Sequence, residues 1–243
     1  MGALFPGSDG VWCSVASPSL LGLLARSTFD WVALDAQHGE FDRHALVEAG
    51  RTLTAAGHAF AVRVARVDAA DIGLALDVGA ATVIVPLVET VDEARASVAA
   101  AHLPPRGARS WGPLAPLWGQ AAPGAQDAPP QVAVMIESAL GLSNVEAIAA
   151  VPGVDLLFVG PFDLSLSLGT TVDDLLADAS GPLAKVHAAA AAAGIGLAAF
   201  AGTPERAQVL RERGFDRLAV TSDAAVVAAG AETLRAQGRP GEQ

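Results

Sequence analysis

VAVMIESALGLSNVEAIAAVPGVDLLFVGPFD, residues 132–163, holds the pattern that decides the fold. Two short apolar runs, Val132–Glu137 and Leu156–Gly160, predict strands, and the stretch Leu142–Ala150 between them predicts a helix. The second run is apolar at nearly every position, as is typical of a strand buried on both faces of a parallel sheet. The segment therefore predicts a strand–helix–strand unit of an α/β protein.

This unit recurs along the whole chain. Helical stretches alternate with six further β-rich runs, at residues 11–16, 31–36, 59–64, 82–88, 196–201 and 217–221. Eight strands in 243 residues fit a closed (β/α)₈ barrel, a fold of typically ~250 residues, and we expect one such domain over residues 1–243. A doubly wound open sheet is the alternative fold.

The composition excludes several classes of function. A net charge of −11 disfavours nucleic acids and anionic membranes as partners, because both favour basic surfaces. We expect a cytoplasmic protein, since the chain has neither an apolar run of ~18 residues nor a signal peptide at its start. The single cysteine, Cys13, cannot form an internal disulfide. The single lysine, Lys185, lies in an alanine-rich predicted helix and is a poor candidate for Schiff-base catalysis.

Polar residues end the second and third predicted strands, at the edge where (β/α)₈ barrels carry their active sites. Asp35 and His38 suit a carboxylate–imidazole pair in which the carboxylate orients the ring. A polar loop in which Asp35 caps backbone donors is the alternative. Arg63 follows four apolar residues, so it needs an anionic partner. That partner is either a substrate carboxylate or enolate oxygen, or a structural ion pair.

Two carboxylates, Glu137 and Asp163, end the fifth and sixth predicted strands. Adjacent strand ends can bring them to one divalent cation, and oxygen ligands with open positions suit Mg²⁺ or Mn²⁺. Their alternative role is that of acidic residues favoured by the dipole at the start of a helix. The turn from Gly160 to Phe162 offers backbone N–H groups that could bind a carboxylate.

The long segment from Pro104 to Pro130 is rich in proline and glycine. A loop of this length in a compact domain is more often functional than idle. Arg109 within it is a candidate for binding a distal substrate carboxylate, and a solvated loop arginine is the alternative.

Several longer motifs follow one another along the chain: FDWVALDAQHGEFD, VRV, DVGAATVIVPLVETVDEA, PPRGARSWGP, MIES and VDLLFVGPFDLSLSLG. Together they resemble the HpcH/HpaI aldolase family of class II pyruvate-dependent aldolases, which act on 4-hydroxy-2-oxoheptanedioate and related 2-oxo acids, including 2-dehydro-3-deoxy sugar acids. The resemblance runs in unbroken order from about Gly10 to about Leu234. It implies a (β/α)₈ barrel whose last helix is exchanged between subunits of a homo-oligomer, a hexamer or trimer.

The resemblance also implies roles for individual residues. Glu137 and Asp163 match the ligands of a divalent cation, Mg²⁺, Mn²⁺ or Co²⁺. His38 matches the acid–base histidine with Asp35 as its partner, and Arg63 matches the arginine that contacts the pyruvate oxygens. The remaining matches are to substrate-binding positions: Gly160 and Phe162 in the carboxylate-binding turn, Trp12 near the pocket, and Gln37 where some members carry glutamate.

We therefore expect a metal-dependent aldolase that cleaves 4-hydroxy-2-oxo acids reversibly into pyruvate, or a similar 2-oxo acid, and an aldehyde. Arg63 and the cation would stabilise the enolate, and His38 would remove the C4 hydroxyl proton. One alternative is an acyl-CoA lyase of the citrate-lyase-β type, which should offer more basic residues for the CoA phosphates. Another is a catalytically silent barrel that binds 2-oxo acids.

Overall fold

The structure, a computed structural model, describes residues 4–121 and 129–237 of the chain. Its strands are β1 (Ser8–Cys13), β2 (Trp31–Asp35), β3 (Phe60–Arg63), β4 (Thr82–Val85), β5 (Gln131–Ile136), β6 (Leu156–Val159), β7 (Gly196–Phe200) and β8 (Arg217–Ser222). All neighbouring pairs are parallel, and β8 pairs with β1, so the sheet closes into a barrel. The predicted (β/α)₈ barrel is confirmed, and the alternative of an open sheet is wrong.

Helices surround the barrel and connect its strands. They are α1 (Pro18–Leu24), α2 (Arg43–Ala55), α3 (Ala69–Asp77), α4 (Val91–Ala101), α5 (Ala139–Ser143), α6 (Val145–Ala149), α7 (Pro161–Ser167), α8 (Val172–Ala177), α9 (Pro182–Ala193), α10 (Pro204–Glu212) and α11 (Asp223–Gln237), with a 3₁₀ helix at Ala115–Trp118. Within the described ranges no helix is long and apolar enough to cross a membrane.

Apolar side chains fill two layers, because successive strand residues point to opposite faces of the sheet. One set, which includes Ile84 and Phe158, fills the barrel interior, and the other packs beneath the helices. Trp31 is fully buried in the interior and donates from Nε1 to the Ser8 hydroxyl at 3.1 Å. A Cβ at Gly10 would lie 2.2 Å from the Trp31 ring. Because Gly10 has no side chain, the Trp31 ring can occupy this space.

Local sequence signals set several helix ends. Thr90 begins α4 in a capping box with Glu93, in which each side chain accepts from the other residue's backbone N–H. The Thr203 side chain caps α10 in the same position. Gly194 ends α9 with a left-handed φ of 67°, a conformation that glycine adopts without steric cost.

The first strand differs from the prediction. We expected it at residues 11–16, whereas β1 is Ser8–Cys13. Its pairing with β8 starts at Ser8 opposite Arg217. The backbone N–H groups of Ser14 and Val15, which would have extended the strand, instead donate to the Asp223 carboxylate at 3.0 and 2.8 Å. A side chain more than 200 residues away in sequence therefore ends this strand.

The helical stretch predicted at Leu142–Ala150 also differs, because it forms two short helices. α5 and α6 meet at Asn144, whose side-chain amide donates to the Glu89 carbonyl at 2.7 Å. The sequence pattern did not predict α7 and α8, which lie between β6 and α9.

Helix α11 lies outside the packed layers. Only its first residue, Asp223, is buried, whereas Val227 and Leu234 are 56% and 70% exposed. Val226 is partly buried and packs against the core, whereas the residues that follow it lie outside the core although the helix is largely apolar.

Candidate active site

A buried ion pair occupies the centre of the barrel mouth. Asp35 and Arg63 are the last residues of β2 and β3 and stand opposite each other in the register of the two strands. Arg63 donates from Nε to Oδ1 at 2.9 Å and from Nη2 to Oδ2 at 2.6 Å. Both side chains are at most 9% exposed. The fork of the arginine thus binds the carboxylate through two parallel hydrogen bonds.

The Asp35 carboxylate accepts three further hydrogen bonds. Trp12 donates from its indole N–H to Oδ2 at 3.1 Å, and the backbone N–H groups of Gln37 and His38 donate to Oδ1 at 3.0 and 3.2 Å. Burial by itself would raise the pKa of Asp35. The hydrogen bonds and the charge of Arg63, with smaller contributions from Trp12 and His38, outweigh burial and lower that pKa. The carboxylate is therefore held in its charged form.

These contacts correct the expectation for Asp35 and His38. We expected the carboxylate to orient the imidazole ring, but Asp35 reaches only the backbone N–H of His38. Among the described residues, no hydrogen bond joins the two side chains, because the carboxylate oxygens already bind Arg63, Trp12 and the turn. The His38 side chain is exposed at the mouth. Asp35 thus fixes the backbone that carries His38 and the guanidinium of Arg63.

Glu137 follows β5 and presents an oxygen without a donor. Its Oε1 accepts from the backbone N–H of Leu87 at 2.8 Å. Its Oε2 is buried and has no hydrogen-bond partner within the described part of the chain. Burial is the main effect that raises the pKa of Glu137, and the charges of Asp163 and Asp35 add to it. The Leu87 hydrogen bond and the charge of Arg63 act in the opposite direction. A cation beside Oε2 would stabilise this carboxylate.

Gly160 keeps the space beside that oxygen open. A Cβ at this position would lie 2.6 Å from Glu137 Oε2 and 3.2 Å from the Met135 methyl group. Asp163 lies two residues into α7 and is exposed at the same edge. Its position in the first helical turn also fits the alternative of an acidic residue favoured by the dipole.

The donor set fits a hard divalent cation. In the ranges that the structure covers, no group of three or more His, Cys, Asp or Glu side chains could hold a metal. Glu137 and Asp163 would supply two carboxylates and leave other coordination positions for water or substrate. That arrangement is typical of Mg²⁺ and Mn²⁺ rather than of Zn²⁺.

Aromatic rings line one side of the mouth. The guanidinium of Arg63 lies 5.0 Å from the centroid of the Trp12 ring. Trp12 packs against Phe158 at 5.7 Å and Phe200 at 5.6 Å between ring centroids. Phe162 continues this wall, with its ring 6.3 Å from that of Phe200. Phe162 is 44% exposed, so the wall extends from the buried ion pair to solvent.

Gln37 and Arg109 have different positions relative to this mouth. Gln37 lies on the turn after β2, and its side-chain oxygen is buried without a partner among the described residues. Arg109 instead forms an ion pair with Asp77 at 2.6 Å, at the end of α3. Since α3 and α4 both end where the next strand begins, the segment after α4 lies at the opposite end of the barrel. The structure does not bring Arg109 to the mouth of its own chain.

The long segment therefore contributes no described residue to the mouth. Leu114 is tied to the end of α3 by a hydrogen bond from its N–H to the Asp77 carbonyl at 2.8 Å. Arg109 lines a cleft of about 500 Å³ between α3 and α4. Residues 122–128 of the predicted loop lie outside the described residues.

The sequence pattern missed two residues that hold the site together. Leu87 has a left-handed φ of 51°, which turns its N–H toward Glu137, and no sequence signal marks a leucine for this conformation. Asp223 is fully buried and holds the loop that follows Trp12. The Ser14 carbonyl of that loop accepts a hydrogen bond from the Glu40 N–H at 2.9 Å. Asp223 is therefore connected, through this loop, to the turn that carries His38.

Comparisons with known proteins agree with this architecture. The model of the family described as HpcH/HpaI aldolase/citrate lyase matches residues 9–229. The hydroxypyruvate/pyruvate aldolase of Paraburkholderia phytofirmans is 36% identical over 225 residues, covering 88% of this chain and 86% of the relative. The 4-hydroxy-2-oxovalerate aldolase of Novosphingobium aromaticivorans is 38% identical over 194 residues, covering 76% and 74%. A crystal structure of a HpcH/HpaI aldolase/citrate lyase family protein from Burkholderia cenocepacia J2315 matches with a TM-score of 0.87 at 33% identity, covering 97% and 95% of the two chains.

Replacing Glu137 by Gln should stabilise the chelator-treated protein at neutral pH. Because the folded-state pKa of Glu137 is raised, its charged form costs folding free energy above the unfolded pKa, and the neutral amide removes that cost. We expect Tm to rise by a few degrees, measured by thermal unfolding.

The matched control is Glu146→Gln, since Glu146 is an exposed acid with a screened partner, Lys185. Its Tm should remain that of the wild type. Added Mn²⁺ should raise the Tm of the wild type and leave Glu137→Gln unchanged. A loss of stability in Glu137→Gln without metal would show that the buried charge of Glu137 does not cost folding free energy.

Proposed function

Because this chain belongs to the HpcH/HpaI aldolase/citrate lyase family, we propose that it cleaves 4-hydroxy-2-oxo acids reversibly into pyruvate, or a similar 2-oxo acid, and an aldehyde. It is an aldolase, a carbon–carbon lyase, as the names of its curated relatives indicate. The observation that carries the proposal for the site is the buried, donor-free oxygen of Glu137 beside Asp163 and Arg63. A cation beside Glu137 and Asp163, and a substrate oxyanion beside Arg63, would balance the charges of this arrangement.

The proposed cation ligands are Glu137 and Asp163, with Mg²⁺, Mn²⁺ or Co²⁺ as the metal. Support comes from the raised pKa of Glu137 and from Gly160, which leaves room beside Oε2. When bound, a divalent cation supplies Lewis-acid stabilisation of negative charge on the 2-oxo acid.

Arg63 is the proposed partner of the substrate oxygens. Two of its nitrogens are fixed by Asp35, and Nη1 has no hydrogen-bond partner among the described residues. Because the ion pair and the Trp12 ring hold the guanidinium, its remaining donors are preorganised for the charge that develops on the enolate oxygen. The backbone turn from Gly160 to Phe162 would bind the substrate carboxylate at the start of α7. Gln37, with its free side-chain oxygen, would contact the substrate from the opposite side of the mouth.

His38 is the proposed acid–base group. In the cleavage direction it accepts the proton of the C4 hydroxyl group, the C3–C4 bond breaks, and C4 becomes the aldehyde carbonyl. The electron pair of the broken bond passes into the enolate of the 2-oxo acid, which is then protonated at C3. The exposed imidazole, on a backbone anchored by Asp35, can reach a substrate at the mouth and exchange its proton with water.

We also propose that the chain acts as a homo-oligomer, a hexamer or trimer, in which α11 packs on a neighbouring copy. Support comes from the exposure of Val227 and Leu234 and from the apolar sequence of the helix. A helix of this composition would stay uncovered in a monomer.

The first test of function is pyruvate release from a 4-hydroxy-2-oxo acid, followed with lactate dehydrogenase. We expect no release after chelation and restored release with Mg²⁺, Mn²⁺ or Co²⁺, because the cation offsets the enolate charge. Glu137→Ala should lose release with every metal. Full activity after chelation would contradict the metal-dependent mechanism. Cleavage of a CoA thioester in its place would indicate an acyl-CoA lyase.

Replacing His38 by Ala should lower kcat for cleavage by about 10²–10⁴-fold, the usual contribution of a positioned acid–base group. Steady-state kinetics would measure the loss, and added imidazole should restore part of it. His44, which is exposed on α2, gives the matched control, and His44→Ala should keep wild-type kcat. An unchanged kcat in His38→Ala would remove this residue from the mechanism.

The oligomer is tested by light scattering after size exclusion. The wild type should have a mass several times the 24.5 kDa of one chain, and the double variant Val227→Glu, Leu234→Glu should shift toward that value. Charged residues on the apolar face would lose contact area and remain unpaired in the interface. Glu232→Gln on the same helix should leave the mass unchanged. A monomeric wild type would refute the proposed assembly.

A further inference from the structure

We propose that Arg206 forms an anion-binding subsite at the outer edge of the mouth and selects acceptor aldehydes that carry a negatively charged group. This inference rests on the proposed aldolase function and specifies the substrate class of the same site. It concerns the end of the substrate away from the proposed cation ligands.

Arg206 lies in the first turn of α10, directly after β7, and therefore at the catalytic end of the barrel. Its guanidinium carbon lies 5.3 Å from the centroid of the Phe162 ring. Phe162 belongs to the turn that begins at Gly160, beside Glu137 Oε2. Arg206 thus stands one aromatic ring beyond the proposed carboxylate-binding turn.

The aromatic wall connects the two ends of the mouth. Rings of Trp12, Phe200 and Phe162 follow one another, with Arg63 against the first and Arg206 against the last. From the ring contact and covalent geometry, the Arg206 guanidinium is within about 10 Å of the Phe162 backbone. An extended 4-hydroxy-2-oxo acid of six or seven carbons separates its terminal groups by a similar length, roughly 6–8 Å.

The present partner of Arg206 would be easy to displace. Arg206 donates from Nε and Nη2 to the same oxygen of Asp173, at 3.3 and 3.0 Å. The Asp173 side chain is 81% exposed, whereas that of Arg206 is 27% exposed. Since such a solvated ion pair contributes little, an incoming anion can replace Asp173 at small cost. The planar fork then suits bidentate binding of a carboxylate, sulfonate or phosphate group.

Among the described residues, no other lysine or arginine follows the strands on this side of the mouth. The segments after β4, β5, β6 and β8, up to the first turn of the next helix, contain no lysine or arginine. Arg63 stands against Trp12 at the inner end of the aromatic wall, and Arg109 lies with Asp77 at the other end of the barrel. Arg206 therefore supplies the positive charge that an anionic acceptor aldehyde would contact beside Phe162.

The test compares two acceptors in the synthetic direction with pyruvate, succinic semialdehyde and its neutral methyl ester. The measured quantity is the ratio of kcat/KM for the charged acceptor to that for the ester. We expect the wild type to favour the charged acceptor and Arg206→Gln to lower the ratio about tenfold or more, as loss of a charge-assisted hydrogen bond does. Arg206→Lys, which keeps the charge without the fork, should lose less.

Two variants control for charge and for the present ion pair. Arg211→Gln removes a cation from the far end of the same helix, where Arg211 pairs with Asp9, and should keep the wild-type ratio. Asp173→Asn frees Arg206 and should keep or raise it. An equal fall for both acceptors in Arg206→Gln, or a wild type without preference for the charged acceptor, would overturn the subsite.

A separate readout distinguishes failure of the subsite from failure of the proposed function. Wild-type enzyme with Mn²⁺ should exchange the methyl protons of pyruvate for deuterium in heavy water, a reaction that needs no acceptor. Without exchange, the aldolase proposal itself fails. With exchange but an unchanged ratio in Arg206→Gln, or no addition to succinic semialdehyde, only the Arg206 subsite fails.

Discussion

The buried ion pair between Asp35 and Arg63 is the interaction on which the site depends. Removing one partner would leave an uncompensated buried charge, at a cost of roughly 3–5 kcal/mol. The pair forms because parallel pairing of β2 and β3 places the two residues opposite each other. The same carboxylate holds Trp12 and the turn that carries Gln37 and His38. One interaction therefore fixes the guanidinium of Arg63, part of the aromatic wall and the backbone of His38, the proposed acid–base residue.

Two features of the mouth, the Leu87 backbone and the Glu137 carboxylate, lower the stability of the fold and fit the proposed chemistry. Leu87 adopts a left-handed backbone conformation to donate to Glu137, which costs on the order of 1 kcal/mol. The second oxygen of Glu137 is buried without a donor, and burial raises its pKa. Gly160 leaves the adjoining space free. These costs make sense if a cation offsets them, so the strain is concentrated where the proposed reaction takes place. The proposed site thus pairs a carboxylate prepared for a cation with an arginine prepared for an oxyanion.

Long-range contacts decide several features that local sequence does not. β1 begins three residues earlier than its apolar run suggests, because closure against β8 and the Asp223 carboxylate set its ends. Asp35 was expected either to orient the His38 ring or to cap backbone donors; it caps the backbone of Gln37 and His38 and also binds Arg63, 28 positions further along the chain. Arg109 was expected near the substrate, but α4 delivers its segment to the opposite end of the barrel. In each case the distance along the chain between two residues does not indicate whether they are in contact.

The sequence by itself determined the fold class, six of the eight strands to within one residue at either end, and the identity of the polar residues at the strand ends. It could do so because burial on both faces requires continuous apolar runs, and because a parallel barrel gathers its strand ends at one edge. Only the tertiary structure decided how those residues pair, since hydrogen bonds depend on register between strands and not on distance along one of them. It also placed Arg206 against Phe162, the left-handed Leu87 against Glu137, and Asp223 beneath the first loop. The local sequence does not mark these contacts, because each joins segments that follow different strands, and the Asp223 contact also needs β8 to close against β1.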